Sequence, residues 1–583
     1  MTTTRIVVIA ACLLAPVGLG AQTAPAPAGG PVEGVVTVGG TGSTTQGALE
    51  RAGEFQVMED ALANLGLQIW GERGRSRFDL VAEQGGDARQ QRYRADITIN
   101  RRVTAVVRYE RFPHRLDHDP LTWMSAASNL GGGPFVVRAT DTDPGAAYAL
   151  ARGELESRLE FTAPLPRAGA LKFFVGHRQE WRDGAHQALT TSHCEACHTE
   201  SFTRRLDQRT RDLIAGTRLE AGRLAVEYAY TARRFDERSA TPTNVYDRAI
   251  HPLSRADVFY NRVSYDERNG PLPFDSVPGL AKDSHVVRAS VALPRDASLY
   301  GHATHSVSRN LDTEVETAVR GASGRLVVPF GRKVVLRGSV QRFSIDSDSV
   351  FVDVGEPVAP GGPSAGLTYA QAYPGLGEVD YLRHSALSRT PTLARIELLY
   401  RPARRTSVRV GYDWEEVTRD AFEVHRTTTQ TLRAWARGSP DKRFTWQARG
   451  SYDWITDPFV HERGAMPAVL QPFASPGNVP FTGAQYYDMY RARQANLSSY
   501  PTARGLFEPS FTWTPDERVS LSAFYRFRAA ENDDLNYSTW SQQAHAPGIQ
   551  FWAAPDDRVS LHAGYAYQRE RTETLFSTLA FVG

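Results

Sequence analysis

The chain lacks several features that would place it in common protein classes. Its 583 residues include only three cysteines, which excludes a disulfide-dense secreted scaffold. After the first twenty residues, no uninterrupted apolar run approaches the ~18–20 residues of a membrane-spanning helix. The net charge is +2, so we expect no nucleic acid partner. Charged residues are scattered without a Ser-His-Asp or paired-carboxylate arrangement, so we expect no enzyme.

The apolar run that is present lies at the start and is typical of an export signal. "MTTTRIVVIAACLLAPVGLGAQTAPAPAGG" has an early cation, Arg5, then an apolar run from Ile6 to Leu19 and small residues near the end. This pattern predicts a secretory signal peptide over residues 1–21, with cleavage near residues 20–25, and a periplasmic N-terminal spacer over residues 22–60. Cys12 falls in the segment that would be removed, which leaves two cysteines.

Those two cysteines form one motif. In "TTSHCEACHTES" (191–202), Cys194, Cys197 and His198 make C-x-x-C-H. Two thiols at this spacing can bond the vinyl groups of a haem while the next histidine binds the iron. We therefore expect one covalent haem c, with His198 as the iron ligand. A disulfide between Cys194 and Cys197, or a zinc site with His193 and His198, remains an alternative.

A second axial ligand is harder to choose from sequence. His186 and His177 lie closest to the motif along the chain, and His118 belongs to a polar stretch, "FPHRLDHDP" (112–120), just beyond a predicted strand. We take His186, His177 and His118, in that order, as candidates for the distal ligand.

The rest of the chain alternates between apolar and polar residues. After the turn "APDDRVSL" (554–561), Val559, Leu561, Ala563, Tyr565 and Tyr567 fall on one face, and polar or small residues fall on the other. Strands of about ten residues with one apolar and one wet face are typical of a transmembrane β-barrel. On this pattern the wet, lumen-facing wall includes Arg409, Asp413, Arg449, Asp453, Arg526 and Arg528.

Short and long connections alternate between these strands. We predict short turns near residues 100, 165, 221, 295, 331, 403, 440, 516 and 556, and Pro-Asp supplies the turn chemistry at the last three. Long connections are predicted at residues 113–150, 183–205, 235–282, 347–390, 456–504 and 529–545. The predicted fold is all-β: a large antiparallel transmembrane β-barrel of about 20–24 strands over residues 61–583, with short periplasmic turns and long extracellular loops. The haem motif would lie in the loop 183–205, either at the outer mouth or folded back into the lumen.

An exported barrel of this size with C-x-x-C-H resembles the MtrB/PioB family of outer-membrane β-barrels. The resemblance covers roughly residues 50–583, through the hairpins and the strand ending "RYERFPH" (108–114), and "SHCEACHTESFTRRLDQRT" (192–210) is its sharpest element. It implies a sheath in the outer membrane of a Gram-negative bacterium, which encloses a periplasmic multihaem cytochrome c and can also meet an extracellular cytochrome. Cys194 and Cys197 would then be the thioether positions and His198 the proximal ligand. The C-x-x-C pair that family members place near the mature N-terminus is missing from residues 22–60, so a role for such a pair is unsupported.

Two functions of different classes are consistent with these observations. The first is a porin-like scaffold of an extracellular electron-transfer complex that contributes one haem. The second is a diffusive porin or solute channel whose C-x-x-C-H is a disulfide or a structural haem or metal site. One haem cannot span a membrane ~30 Å thick, so the first function requires haems from a partner.

Overall fold

The structure is a computed structural model of the chain. It describes residues 32–41, 54–55, 62–85, 90–122, 127–129, 134–136, 138–166, 169–192, 198–246, 270–352, 367, 371, 381–383, 385, 387–419, 425–458, 500–533, 539–556 and 559–575. The predicted signal peptide lies outside the described residues.

Nearly all regular structure in these residues is β-strand. The first fifteen strands are β1 Val32–Thr41, β2 Leu62–Arg73, β3 Ser76–Gln84, β4 Gln91–Ile99, β5 Val103–Arg115, β6 Ala127–Asn129, β7 Pro134–Val136, β8 Arg138–Asp141, β9 Ala149–Leu165, β10 Gly169–Ser192, β11 His198–Ala221, β12 Leu224–Glu237, β13 Thr243–Asn244, β14 Leu272–Pro273 and β15 Leu280–Ala292. The others are β16 Ser298–Asn310, β17 Glu316–Phe330, β18 Val334–Ser347, β19 Val350–Val352, β20 Tyr381–Arg383, β21 Thr390–Ala403, β22 Thr406–Thr418, β23 Arg426–Gly438, β24 Phe444–Thr456, β25 Ala503–Asp516, β26 Val519–Asn532, β27 Thr539–Asp556, β28 Val559–Ala566 and β29 Arg569–Leu575. A short 3₁₀ helix, Pro294–Asp296, lies in the turn between β15 and β16.

Twenty-three of these strands belong to one sheet. Each long strand pairs antiparallel with the next long strand along the chain, from β1 with β2 to β26 with β27, and both β28 and β29 pair with β27. The short strand β8 pairs parallel with the start of β11. The predicted all-β antiparallel barrel of about 20–24 strands is confirmed. Its seam, between β1 and β29, is not among the pairs formed by the described residues.

The connections divide the sheet into two edges. At one edge, which we call the short-turn edge, ten connections have five residues or fewer: 74–75, 100–102, 166–168, 222–223, 293–297, 331–333, 404–405, 439–443, 517–518 and 557–558. Nine of them are the predicted short turns. The tenth, 74–75, was not predicted, although Gly74 supplies the positive φ (65°) that a tight turn needs.

The other edge, which we call the long-loop edge, has the long connections 116–148, 238–279, 348–389 and 457–502. Two predicted long loops are much shorter. Only residues 193–197 separate β10 from β11, and only residues 533–538 separate β26 from β27, so most of 183–205 and 529–545 is strand. At these strand ends apolar and polar residues no longer alternate regularly, so the pattern that reveals a strand in sequence is lost there.

The predicted spacer over residues 22–60 also contains a strand. β1 forms ten pairs with β2, from Val32 opposite Gly71 to Thr41 opposite Leu62, and so belongs to the barrel sheet. Its sequence, "VEGVVTVGGT", is rich in both valine and glycine, and the glycines together with the preceding Pro/Ala/Gly run weakened the strand signal.

The two faces of the sheet differ as predicted. The outer face exposes a continuous set of large apolar side chains, including Val410, Tyr412, Leu432, Tyr452 and Trp454. An exposed apolar belt of this extent is costly in water and is stabilised by contact with lipid chains. The inner face presents charged and polar residues, which form the wall of the lumen.

Candidate functional site

The candidate site is the tip of the hairpin formed by β10 and β11. Each strand has 24 residues, and their register is continuous from Ala170 opposite Glu220 to Ser192 opposite His198. The neighbouring strands stop earlier, because β9 pairs with β10 only as far as Ala185 and β12 pairs with β11 only as far as Gln208. The end of the hairpin therefore extends past its neighbours at the long-loop edge.

Five residues, 193–197, connect the two strands at this tip. Cys194 and Cys197 belong to this connection and lie outside the described residues. The backbone of His198 begins β11, where it pairs with Ser192 on one side and with Arg138 of β8 on the other. The predicted haem motif thus spans the hairpin tip and the first residue of β11.

One long loop covers the inner side of the hairpin end. In the connection from β12 to β15, Asn244 Nδ2 donates to Glu200 Oε2 at 2.9 Å, and the Tyr246 hydroxyl lies 3.3 Å from the Thr190 hydroxyl. Phe274 packs against Phe202 with ring centroids 5.6 Å apart. These contacts hold the hairpin end in place below its tip.

A second long loop holds the edge of β11. Thr142 donates its hydroxyl to the Ser201 carbonyl at 2.5 Å, and the hydroxyl of the fully buried Ser201 donates to Asp141 Oδ1 at 2.9 Å. Burial alone would raise the pKa of Asp141, but hydrogen bonds from Ser201, from the Asp143 backbone and from His118 outweigh it and lower that pKa. Asp141 is therefore an ionised anchor opposite Ser201, which lies three residues from His198 along β11.

His118 is the other partner of this anchor. Its Nε2 lies 2.6 Å from Asp141 Oδ2 and its Nδ1 lies 2.7 Å from the Ala146 carbonyl oxygen. The loop that contains His118 thus reaches Asp141, whose backbone pairs with Ser201 of β11. Both ring nitrogens are already engaged, however, so binding to iron would break one of two short hydrogen bonds.

His186 lies on the inner face of β10, opposite Arg204. Its Nε2 is 3.4 Å from Asp275 Oδ2, without the geometry of a hydrogen bond. Burial, reinforced by the charge of Arg204, lowers the pKa of His186 despite the opposing effect of Asp275. Six residues separate Arg204 from His198, which is about 20 Å along a strand, so His186 does not come within reach of an iron bound at the tip.

His177 is still farther away and faces the other way. It lies opposite Leu213, whose side chain is exposed on the outer, lipid-facing side of the sheet. Leu213 is fifteen residues from His198 along β11, about 50 Å of strand. The structure does not bring His177 to the motif.

A buried ion pair supports the hairpin end, and sequence analysis missed it. The side chain of Arg204 is 1% exposed; its Nη1 contacts both the carboxylate and the backbone carbonyl of Asp275. An arginine is rarely so buried unless it is paired, and no local pattern in "SFTRRLDQR" distinguishes Arg204 from its neighbour Arg205. The alternation of side chains along a strand could only have placed Arg204 and Arg205 on opposite faces of the sheet.

The lumen wall is the second functional surface. The six residues predicted to line it, Arg409, Asp413, Arg449, Asp453, Arg526 and Arg528, share the inner face in the observed registers. Most of their charge is neutralised across strands: Arg433 Nη2 lies 2.6 Å from Asp413 Oδ1, and Arg504 Nη2 lies 2.7 Å from Asp453 Oδ2. Glu508 pairs with both Arg449 and Arg526. The wall is a mixed-charge surface that suits water or the polar surface of a protein.

Two further observations concern metals and helices. Among the described residues, no group of three or more His, Cys, Asp or Glu side chains is placed to hold a metal ion. In the same part of the chain, no helix is both long and apolar enough to cross a membrane.

Residues 358–456 match the sequence model of the outer membrane beta-barrel porin family MtrB/PioB. This segment includes β21 to β24 and hence part of the charged lumen wall. No curated protein matches the chain.

Several solved structures resemble the chain at low sequence identity. The ferric citrate transporter FecA in its unliganded form is 10% identical with a TM-score of 0.38, over 93% of this chain and 78% of that one. The ferric enterobactin receptor PfeA from Pseudomonas aeruginosa is 9% identical with a TM-score of 0.44, over 92% and 75%. The FrpB iron transporter from Neisseria meningitidis is 9% identical with a TM-score of 0.44, over 87% and 80%.

The antiparallel sheet, its exposed apolar belt and its charged inner wall define an outer-membrane β-barrel of porin type. The family match over residues 358–456 agrees with that class. The chain belongs in the outer membrane of a Gram-negative cell, with the short-turn edge in the periplasm and the long-loop edge outside.

Proposed function

We propose that this barrel is the scaffold of an extracellular electron-transfer complex and binds one haem c of its own at the outer surface. Cys194 and Cys197 would form the thioether bonds, and His198 would be the proximal ligand of the iron. The bound haem would supply one-electron transfer. The barrel itself would sheath a multihaem cytochrome c that enters from the periplasm, and its role is structural rather than enzymatic.

The observation that supports this proposal best is where the motif lies. The only cysteines that remain after removal of the predicted signal peptide fall in the five-residue connection between β10 and β11, and the described ends of these two strands are held by loops on two sides. A cofactor there would be fixed in position and open to an acceptor outside the cell.

The lumen wall supports the partner part of the proposal. A single haem at the outer edge cannot pass electrons through a membrane ~30 Å thick, so further haems must lie in the lumen. The ion-paired inner face can be satisfied by the polar surface of a cytochrome. The same wall also suits the second candidate function, a water-filled diffusive channel, because water satisfies those charges equally well.

Co-purification from outer membranes tests both parts of the proposal. In cells able to mature cytochromes c, we expect the intact protein to gain the mass of one haem and to keep a peroxidase stain after denaturation. We also expect a multihaem cytochrome to co-purify. Reconstituted in vesicles, the complex should pass electrons from an enclosed donor to an external acceptor.

Variants separate the haem from the sheath. Cys194→Ala and Cys197→Ala should abolish or strongly reduce attachment, while Cys12→Ala, within the predicted signal peptide, should leave the mature protein unchanged. An intact mass without haem would favour the disulfide. Large stepwise conductance in planar bilayers that persists with the cytochrome present, without electron transfer, would favour the channel.

A further inference from the structure

Three aromatic rings lie side by side on the outer face near the long-loop edge. The ring centroids of Tyr93 on β4 and Tyr109 on β5 are 5.5 Å apart, and those of Tyr109 and Trp181 on β10 are 5.7 Å apart. β9 lies between β5 and β10, and its residue at this level is Gly153. A Cβ on Gly153 would lie 2.3 Å from the Trp181 ring, so the missing side chain lets the indole lie across β9 towards Tyr109.

These rings mark the outer boundary of the lipid-facing band. Below them the same face exposes Val107, Leu159, Val175 and Leu213. Trp181 is eleven residues from Ala170 at the short-turn edge, which at about 3.3 Å per residue and a tilt of about 40° is about 28 Å along the membrane normal. That height matches the apolar band of about 25 Å that aromatic girdles flank in outer-membrane barrels.

From the level of Trp181 towards the long-loop edge, the outer face becomes strongly cationic. A cavity of about 950 Å³ is lined by Tyr109 and Trp181 and by four arginines, Arg111, Arg205, Arg209 and Arg238, against only two carboxylates, Asp183 and Asp207. The Arg111–Asp183 contact is loose at 3.8 Å, and Arg209 Nε lies 3.3 Å from Asp207 Oδ1.

Two of these arginines carry a charge that no carboxylate of the described residues neutralises. Within the described residues, neither Arg205 nor Arg238 forms an ion pair with a carboxylate. Their guanidinium groups therefore remain available at the level where lipid headgroups lie.

We propose that this cavity binds the phosphorylated headgroup of an outer-leaflet glycolipid. The guanidinium forks would take the phosphate oxygens, the aromatic rings would lie at the level of the sugar, and the acyl chains would continue down the apolar face. A free phosphate offers the same charge but would make no contact with the aromatic rings and the apolar surface that adjoin the cavity. We therefore assign the site to a lipid. This inference does not depend on the proposed electron-transfer function.

Native mass spectrometry of the detergent-solubilised full-length protein tests the site with three probes: a lipid A that carries both phosphates, the same lipid after removal of its phosphates, and inorganic phosphate. We expect the bisphosphorylated lipid to bind at least about tenfold more tightly than either other probe. Arg205→Ala with Arg238→Ala should weaken its binding by about tenfold or more, and higher salt should weaken it further. Arg205→Lys with Arg238→Lys should retain part of the affinity.

Arg320→Ala is the matched control, because Arg320 is an exposed outer-face arginine at the long-loop end of β17, away from the cavity. It should bind the lipid as the unaltered protein does, and heat-modifiable gel migration should show that every variant is folded. Equal binding of the dephosphorylated lipid, or unchanged binding by the double alanine variant, would overturn the proposal. Equally tight binding of inorganic phosphate would show a small-anion site instead and would also overturn it.

Discussion

Glu508 on the lumen wall is shared by two cations. Its carboxylate, with the side chain 11% exposed, contacts Arg449 on β24 and Arg526 on β26, whose side chains are 60% and 48% exposed. Because both arginines are about half exposed to water and glutamine keeps an oxygen that can accept their hydrogen bonds, Glu508→Gln should keep the barrel folded but leave two positive charges uncompensated in the lumen. In planar bilayers we expect the reversal potential under a salt gradient to shift towards anion selectivity. Glu573→Gln, on the outer face of β29, should leave it unchanged, and an unchanged potential in Glu508→Gln would contradict this reading of the wall.

His186 provides a pH dependence at the hairpin end. Its pKa is lowered in the folded protein by burial, so below about pH 6.5 the unfolded segment takes up a proton more readily than the folded one. The stabilisation is complete above the unfolded pKa and is lost as the pH falls towards the folded pKa. Hydrogen exchange corrected for intrinsic rates should show loss of protection in residues 185–192 between pH 7.5 and 5.0, with β26 as the reference. His186→Gln should remove this difference, and a drop that persists in the variant would assign it to another group.

At the scale of the element, strand β9 shows how one glycine sets the packing of its neighbours. In Gly153→Ala the new methyl group would collide with the Trp181 ring, and overpacking of this kind costs about 1–3 kcal/mol. We expect a lower temperature for the transition between folded and unfolded gel mobility. Gly301→Ala on β16 is the control, because its Cβ would meet nothing within 4 Å. Equal transition temperatures for the two variants would mean that Trp181 moves aside without cost.

The strands also show where sequence analysis succeeds and where it fails. The Pro-Asp turns at 440, 516 and 556 and the alternating faces of β22, β24 and β26 were predictable, because lipid on one side and polar surroundings on the other impose period two. The extensions of β10 and β11 were not, because beyond the membrane apolar and polar residues no longer alternate regularly along them. The contacts of the distal candidates were equally hidden, since Asp141, Ala146 and Asp275 lie 23 to 89 positions away along the chain from the histidines they meet.

The whole molecule should behave as a membrane barrel in solution. Its sheet is paired from β1 to β29 and its outer face is apolar, so detergent-solubilised protein should be dominated by strand in circular dichroism. It should also migrate differently on gels before and after boiling, because detergent unfolds such a barrel only on heating. Recovery from the soluble periplasmic fraction, or a helical spectrum, would be incompatible with this architecture.

The order of the strands has a consequence for how the chain assembles. Every described pair among the long strands joins neighbours along the chain, and the ten turns of the short-turn edge close loops of at most five residues. Closing such loops costs little chain entropy, so each hairpin can form before the next one arrives. A closing seam between β1 and β29 would join strands more than 500 residues apart, against about 60 residues for the pairing of β8 with β11. Hairpins can therefore form one after another along the chain. Closure of the barrel, which joins its two ends, is then the slowest step because its loop is the longest.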